Sequence, residues 1–529
     1  TGVLNTLNTV NTGLVLRAYG DQSGMTYSEI ESEYSSQLFD VSNSEALSLN
    51  NIQGVSINSV LLANSVDSLE INSMYIYDSN SVGLAMEIST SDSVKISNAT
   101  INGYGQSFLF SGGGSFSLIN TTFFSNGKIG ELSSSTLEIE EGDFEGTSHG
   151  LQTQYSTLTV KNVNITVGEN HGTALQILGG SLLVMEELNL THEAQWSDST
   201  SIGLHTIWSD ITAETVNIVG FSTGVSCETT STLSISNLSI IDNVNLGYSQ
   251  ACSESIIDEL ITTSGRHGLY SKTGEISIES WAASSHTTSL MLSDSSAKTY
   301  IRNWEGTGFT FAAQGEASEL FYGTSTINEN LIQINGAEKY FETDIEITDL
   351  SGQNPLEGIV VSVHKFNEIT NVEGIVTLPL TSQNSDVHAL DSEDSISRLK
   401  SLSTNALNPR IELPVLPSDG SNWVVESGVN IVLNGFNGEL LSNITIQDGG
   451  SLDLIDTSLT ALNVSVEVGG ILTGVNSNLI GNNFSISSSE IGNEASSLLL
   501  EGIIEINCEL VSMNWYGITL KGDVNLITN

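Results

Sequence analysis

Short apolar strand starts recur along this chain every twenty-odd residues, and no other feature constrains its fold as tightly. They fall at Leu69, Val94, Phe116, Leu137, Leu158, Leu183, Ile211, Leu233, Ile256 and Ile276, spaced 20 to 28 residues apart. A second series runs in phase with the first, at Gly83, Gly105, Gly127, Gly150, Gly172, Gly203, Gly224, Gly247 and Gly268. Periods of this length mark a solenoid, in which each repeat buries its apolar face against its neighbours.

The repeats are strands. Leu137-Glu138-Ile139-Glu140, Leu158-Thr159-Val160-Lys161 and Leu233-Ser234-Ile235-Ser236 alternate apolar with polar residues. Alternation of this kind places the apolar side chains on one face of a half-buried strand. Strands at a fixed period stack each on its equivalent in the next coil, whereas sandwich loops vary more in length. Glycine is expected at the coil corners because it accepts a positive φ. Asn98 and Asn162 sit in phrases suited to corners, where they are expected to stack between coils. Only 5 prolines occur in 529 residues, as long ladders require.

This pattern resembles right-handed parallel β-helix (pectin-lyase-like) surface proteins over roughly residues 45–335, and again over 420–529, where Gly449-Gly450-Ser451-Leu452 and Gly469-Gly470-Ile471-Leu472 repeat. Residues 341–390 break the period. There Asp349-Leu350-Ser351-Gly352-Gln353-Asn354-Pro355-Leu356-Glu357-Gly358 precedes Gly374-Ile375-Val376-Thr377-Leu378-Pro379. This stretch resembles the carboxypeptidase-regulatory-like or collagen-binding-B type of β-sandwich domain, families of spacers and adhesive modules, and its place between two solenoids implies a spacer. The expected fold is therefore all-β: a cap over 1–45, with a short helix at Tyr27–Leu38; a right-handed parallel β-helix over 46–340; a small β-sandwich over 341–390; a linker over 391–419; and a second β-helix over 420–529.

The formal net charge is −48, from 62 acidic and 14 basic residues. The anomaly is the scarcity of Lys and Arg. It excludes nucleic acid as a partner, since no basic patch can neutralise phosphates, and it disfavours an anionic membrane surface. No run of eighteen apolar residues occurs, so no transmembrane segment is expected within the chain. The chain opens on Thr1 and stops in a strand pattern, so a signal and an anchor are expected to lie outside it.

Three cysteines are too few for a disulfide framework. Cys227 and Cys252 are 25 residues apart, about one coil, and are either a bridge between coils or two buried thiols. Asn-x-Ser/Thr sequons stand at Asn98, Asn120, Asn164, Asn189, Asn237, Asn443, Asn463 and Asn483. They are candidate glycosylation sites or rungs of stacked side-chain ladders.

Enzymes of the resembled fold mostly cleave acidic polysaccharides. The pairs His149-Gly150, His171-Gly172 and His267-Gly268 match one of their motifs in part, without its Asp-Asp or Arg-Ile-Lys partners. They read better as corner residues of equivalent position. The densest acidic cluster offers Glu138, Glu140 and Asp143 as a candidate calcium site, with no Lys near enough in sequence to pair with Glu138 or Glu140. No other cofactor is expected. Six tryptophans are candidates for stacking sugars, with Trp196 the most polar in setting. The expected function is a non-enzymatic extracellular structural or adhesive protein, a surface-layer subunit, stalk, adhesin or filament component. Its partners would be other copies of itself, other surface proteins or glycans. The alternatives are a polysaccharide lyase or hydrolase on the same scaffold, and a phage or viral fibre.

Overall fold

The computed structural model describes residues 37–480 apart from short gaps, the main ones at 78–81, 194–199, 350–354, 392–395 and 414–421, together with strand backbone on either side of that span. It is all-β, and the chain divides into two compact units, Thr1–Ala337 and Glu338–Asn529.

The first unit is a parallel β-solenoid. One register position can be followed from coil to coil through Met25, Leu47, Leu69, Val94, Phe116, Leu137, Leu158, Leu182, Ile211, Leu233, Ser255, Ile276, Thr299 and Leu320, each paired in parallel with the next, and from Leu47 onward it is buried in the core. These thirteen steps at about 4.8 Å each extend roughly 62 Å. Two expected strand starts are displaced by one residue. Leu182, not Leu183, faces the core, and Leu183 is 41% exposed. Ser255 occupies the core position expected for Ile256, and its hydroxyl contacts Tyr248 Oη and Gln250 Oε1, each at 2.7 Å. A slip of one residue reverses every side chain, so the ladder decides such cases and local hydrophobicity does not.

Each coil has three straight segments, seen clearly in 136–140, 142–146 and 149–154. Left-handed residues at the corners change the phase of the alternation. Leu137 and Ile139 are buried before Glu141 (φ 55°), and Gly142, Phe144 and Gly146 after it. The same phase change explains a correction near the N-terminus. The helix expected over Tyr27–Leu38 is instead a strand, Met25–Glu33, because Met25, Tyr27 and Ile30 pair with Leu47, Leu49 and Ile52 across a corner. Parallel pairing thus runs through the segment read as a cap, beginning with Val3–Leu4 against Thr26 and Tyr27.

The serial glycines also serve a different purpose from the one expected. None of them is left-handed; that conformation is taken along one corner by Asn51, Ser73, Asn98, Asn120, Glu141 and Asn162. The glycines are required by close approach. A Cβ on Gly203 would lie 2.6 Å from Gly224 O, one on Gly224 2.6 Å from Gly247 O, and one on Gly247 2.4 Å from Gly268 O. The series is two rows, not one: His149 pairs with Lys128, so Gly150 stands opposite Ile129 and not Gly127, and Leu151 pairs with Leu175, so Ala174 and not Gly172 is the equivalent of Gly150.

The core is one continuous cluster. Its aromatic members stack coil on coil, with Phe110 on Phe116 at 4.5 Å, Phe123 on Phe144 at 5.3 Å and Trp281 on Trp304 at 5.2 Å. Such pairs contribute about 0.5–1.5 kcal/mol beyond burial. Cys227 and Cys252 are joined by a disulfide inside this core, with Cα atoms 5.3 Å apart.

In the second unit, Phe341–Asp349 pairs antiparallel with Ile375–Leu380 and parallel with Arg410–Leu413. A second sheet holds Phe366–Ile369, Val360–Val363, Ser385–Asp391 and Ile396–Leu402, all antiparallel. Ile396–Leu402 then pairs antiparallel with Asn430–Asn434, the first strand of a parallel series that continues through Ser451–Ile455, Ile471–Val475, Ser497–Glu501 and Ile518–Lys521. A parallel sheet from Trp423–Val425 to Val524–Thr528 accompanies it. The stretch 391–419, read as a linker, thus carries two strands: Ile396–Leu402 covers the Asn430–Asn434 edge of one parallel sheet, where an uncovered edge would invite pairing with another chain, and Arg410–Leu413 pairs with Phe341–Asp349. It also concentrates cations. Arg398 and Lys400 meet Glu412 at 3.1 and 3.3 Å, and Arg410 meets Glu346 at 2.6 Å.

Candidate functional site

Parallel in-register stacking fixes what surrounds every outward side chain: its equivalents about 22 residues before and after. The acidic strand 136–146 shows the consequence. Glu140 is paired with Lys161, one coil on, so the absence of a neighbouring Lys in sequence misled. Lys161 Nζ lies 3.3 Å from Glu140 Oε1 and 3.1 Å from Glu186 Oε1, bridging three coils. Those two carboxylates hold the ammonium above its ordinary pKa. Glu138 lies between Ser117 and Thr159, and Asp143 between Thr122 and Asn164 on the far side of the Glu141 corner. The structure therefore does not gather Glu138, Glu140 and Asp143. Among the described residues no group of three His, Cys, Asp or Glu side chains could hold a metal ion.

The sequons fall into two kinds. Asn98 Nδ2 donates to Asn72 Oδ1 at 3.2 Å, and Asn120 Nδ2 to Asn98 Oδ1 at 2.8 Å. Asn189 donates to Asn164 and Asn217 to Asn189, both at 2.9 Å. In the second unit Asn443 donates to Asn422 at 2.8 Å and Asn463 to Asn443 at 2.5 Å. The amide nitrogens of Asn98, Asn120, Asn189, Asn443 and Asn463, where a glycan would attach, are thus rungs of the ladders. Asn164 takes part only as an acceptor in its ladder, and Asn237 lies exposed between Thr215 and Glu259. The Asn483 backbone continues the Asn443–Asn463 register; its side chain lies outside the described residues.

The His-Gly corners do not share one position. His149 pairs with Lys128 and His267 with Leu246 and Thr288, all on one row, whereas His171 lies two residues short of that row. Burial, with Arg266 and His286 nearby, pushes the His267 imidazole down to about 4. Burial likewise lowers His286, whose Nε2 lies 3.1 Å from Thr262 O. Both shifts favour the uncharged ring.

Of the tryptophans, Trp281, Trp304 and Trp423 are fully buried, and Trp196 lies outside the described residues. Trp515 also lies outside them, and among the described residues the exposed tryptophan is Trp208, at 62%. The sequence gives no local sign of this, because Trp208 follows the buried-type run Leu204–Ile207; its φ of 53° turns it outward. On the outer face of three successive coils, Leu183 and Met185 form the apolar side of a shallow hollow of about 290 Å³, completed by Thr212, Glu214, Ser234 and Ser236. One inserted residue between Val184 and Leu188, relative to Val160 and Val163, creates this bulge.

Compared with known proteins, the chain matches no family model, no curated protein and no solved structure.

Proposed function

We propose that this chain is a non-enzymatic extracellular structural or adhesive protein that works by rigid length. It would present coil faces to other copies of itself or to other surface proteins. The observation that carries this reading is the unbroken parallel ladder from Met25 to Leu320, built on one core. Such a ladder makes each coil a template for the next and gives stiffness along the stack. Three features support it. Asparagine ladders tie coil to coil on the outside, a disulfide ties two coils inside, and several of the few cations, such as Lys161 and Lys298, make ion pairs between coils. On this reading the coils are right-handed and pectin-lyase-like, and residues 341–390 act as a carboxypeptidase-regulatory-like spacer.

The test is electron microscopy of the purified chain together with a depolymerisation assay. Rods at least about 6 nm long, alone or joined end to end, are expected. Release of new reducing ends from neutral or acidic polysaccharides would replace this reading with that of an enzyme.

A further inference from the structure

One corner of the long solenoid carries left-handed residues at Asn43, Ser65, Thr90, Gly112, Ser134, Tyr155, Gly179, Trp208 and Thr229. Five of these nine positions hold Asn, Ser or Gly, the residues that tolerate or are small enough for such a corner, and the β-branched Thr90 and Thr229 donate their hydroxyls to Asn64 Oδ1 at 2.8 Å and to Glu228 O at 2.6 Å. The other two are Tyr155, with φ 49°, and Trp208, with φ 53°. Bulky aromatic residues are poorly suited to left-handed backbone, and strain of this kind clusters at functional sites. Neither ring is used to fill the core, for Tyr155 is 63% and Trp208 62% exposed.

The coil between them holds Gly179, and Tyr155 N–H donates to Leu178 O and Gly179 N–H to Ile207 O, each at 2.8 Å. The three corners are therefore stacked. A Cβ on Gly179 would lie 2.9 Å from the Tyr155 ring, so the ring rests over the glycine. Two coil steps place the backbones of Tyr155 and Trp208 about 10 Å apart, and the Tyr155 ring covers the glycine on the coil between them. Polar groups border the strip: Gln154 is exposed beside Tyr155, Ser181 Oγ lies 3.3 Å from Thr157 Oγ1, and Asp210 accepts from Thr232 Oγ1 at 2.6 Å.

We propose that Tyr155 and Trp208, with Gly179 between them, form a binding strip for a neutral glycan. The apolar C–H face of a pyranose ring packs on an aromatic face, whose negative quadrupole favours those hydrogens. Linked rings would span the two aromatic side chains, and their hydroxyl groups would meet Gln154, Ser181 and Asp210 at the edges. Charge selects the class: with Asp210 and Glu228 on adjoining coils and a net charge of −48, a uronate-rich glycan is repelled. The strip would operate wherever the solenoid is located, so it stands or falls separately from the surface-protein reading.

The test is affinity electrophoresis of the full chain in native gels containing, one at a time, a β-glucan, a galactomannan, a xylan and polygalacturonate. It is repeated with Tyr155→Asn and Trp208→Asn. Asparagine accepts the left-handed corner, so these variants remove the rings and keep the fold. We expect retardation in at least one neutral gel, apparent affinity at least tenfold weaker in each variant, unchanged or raised melting temperatures, and no retardation by polygalacturonate. The proposal is overturned if no neutral gel retards the native chain, or if both variants bind as it does. Stronger retardation by polygalacturonate also overturns it. A melting temperature that falls in both variants assigns the rings to packing and overturns it too.

Discussion

Glycine solves two different problems in the two units. In the second unit the corner Gly-Gly pairs divide the work. Gly449 and Gly469 are left-handed, with φ 74° and 85°, while Gly450 and Gly470 face carbonyl oxygens that a Cβ would meet at 2.7 Å. In the first unit the serial glycines carry out only the second task, and the left-handed corners are shared among other glycines, such as Gly112, Gly179 and Gly274, and Asn, Ser, Thr and a few larger residues. Once a corner no longer needs glycine, its side chain becomes available. In the first unit that gives the corner ladder of Asn98 and Asn120 and the exposed rings of Tyr155 and Trp208.

The largest expected effect breaks this comparison at its strongest point. Gly247→Ala drives a Cβ against the Gly268 carbonyl, which cannot move without separating coils. It should destabilise the first unit by about 3 kcal/mol or more. Gly428→Asn, in the second unit, meets nothing within 4 Å at φ 78° and should change stability by less than about 1 kcal/mol. Thermal unfolding of both variants checks the pair; equal effects would show that the two glycine classes are not distinct.

Cys252→Ser removes the cross-link between Cys227 and Cys252, which closes a loop of 25 residues. The expected loss is about 2–4 kcal/mol. Hydrogen exchange should place it in the coils around Cys227, with the asparagine-laddered coils around Asn98 little changed. Loss of protection throughout the unit would mean that all coils unfold as one.

The pH response should come from the same rear coils. His267 has its pKa lowered from 6.5 to about 4. As pH falls through 6.5 the unfolded chain takes up a proton first, so stability from this group is full above 6.5, declines toward 4 and then levels off. His267→Gln should flatten that part of the stability profile measured by denaturant unfolding between pH 7 and 4. An unchanged slope would assign the acid sensitivity elsewhere.

The smallest effect is a gain. Glu141 interrupts the asparagine corner between Asn120 and Asn162 at φ 55°. Glu141→Asn should relieve backbone strain and extend the ladder, raising stability by about 0.5–1 kcal/mol. No gain in melting temperature would mean that the ladder bonds only replace bonds to water.

Much of the fold was legible before any coordinates. The strand starts from Leu69 to Leu158 are the positions the ladder uses, because a repeat that buries one face writes its period into the sequence. Less of the candidate sites was legible. Lys161 is 21 residues from Glu140, and only stacking made them neighbours. The purpose of Gly247, the misplaced Ile256, and the outward turn of Trp208 were equally hidden, since each depends on which carbonyl or side chain the next coil presents.

The sequence by itself determined the parallel all-β repeat, its interruption after residue 340 and the poverty of cations. Only the tertiary structure decided register and corner phase. Alternation has a period of two, and each left-handed residue shifts it by one, so which side chains face inward follows from pairing with the neighbouring coil and not from local hydrophobicity. That pairing joins Cys227 to Cys252, makes rungs of five sequon asparagines and leaves the rings of Tyr155 and Trp208 exposed.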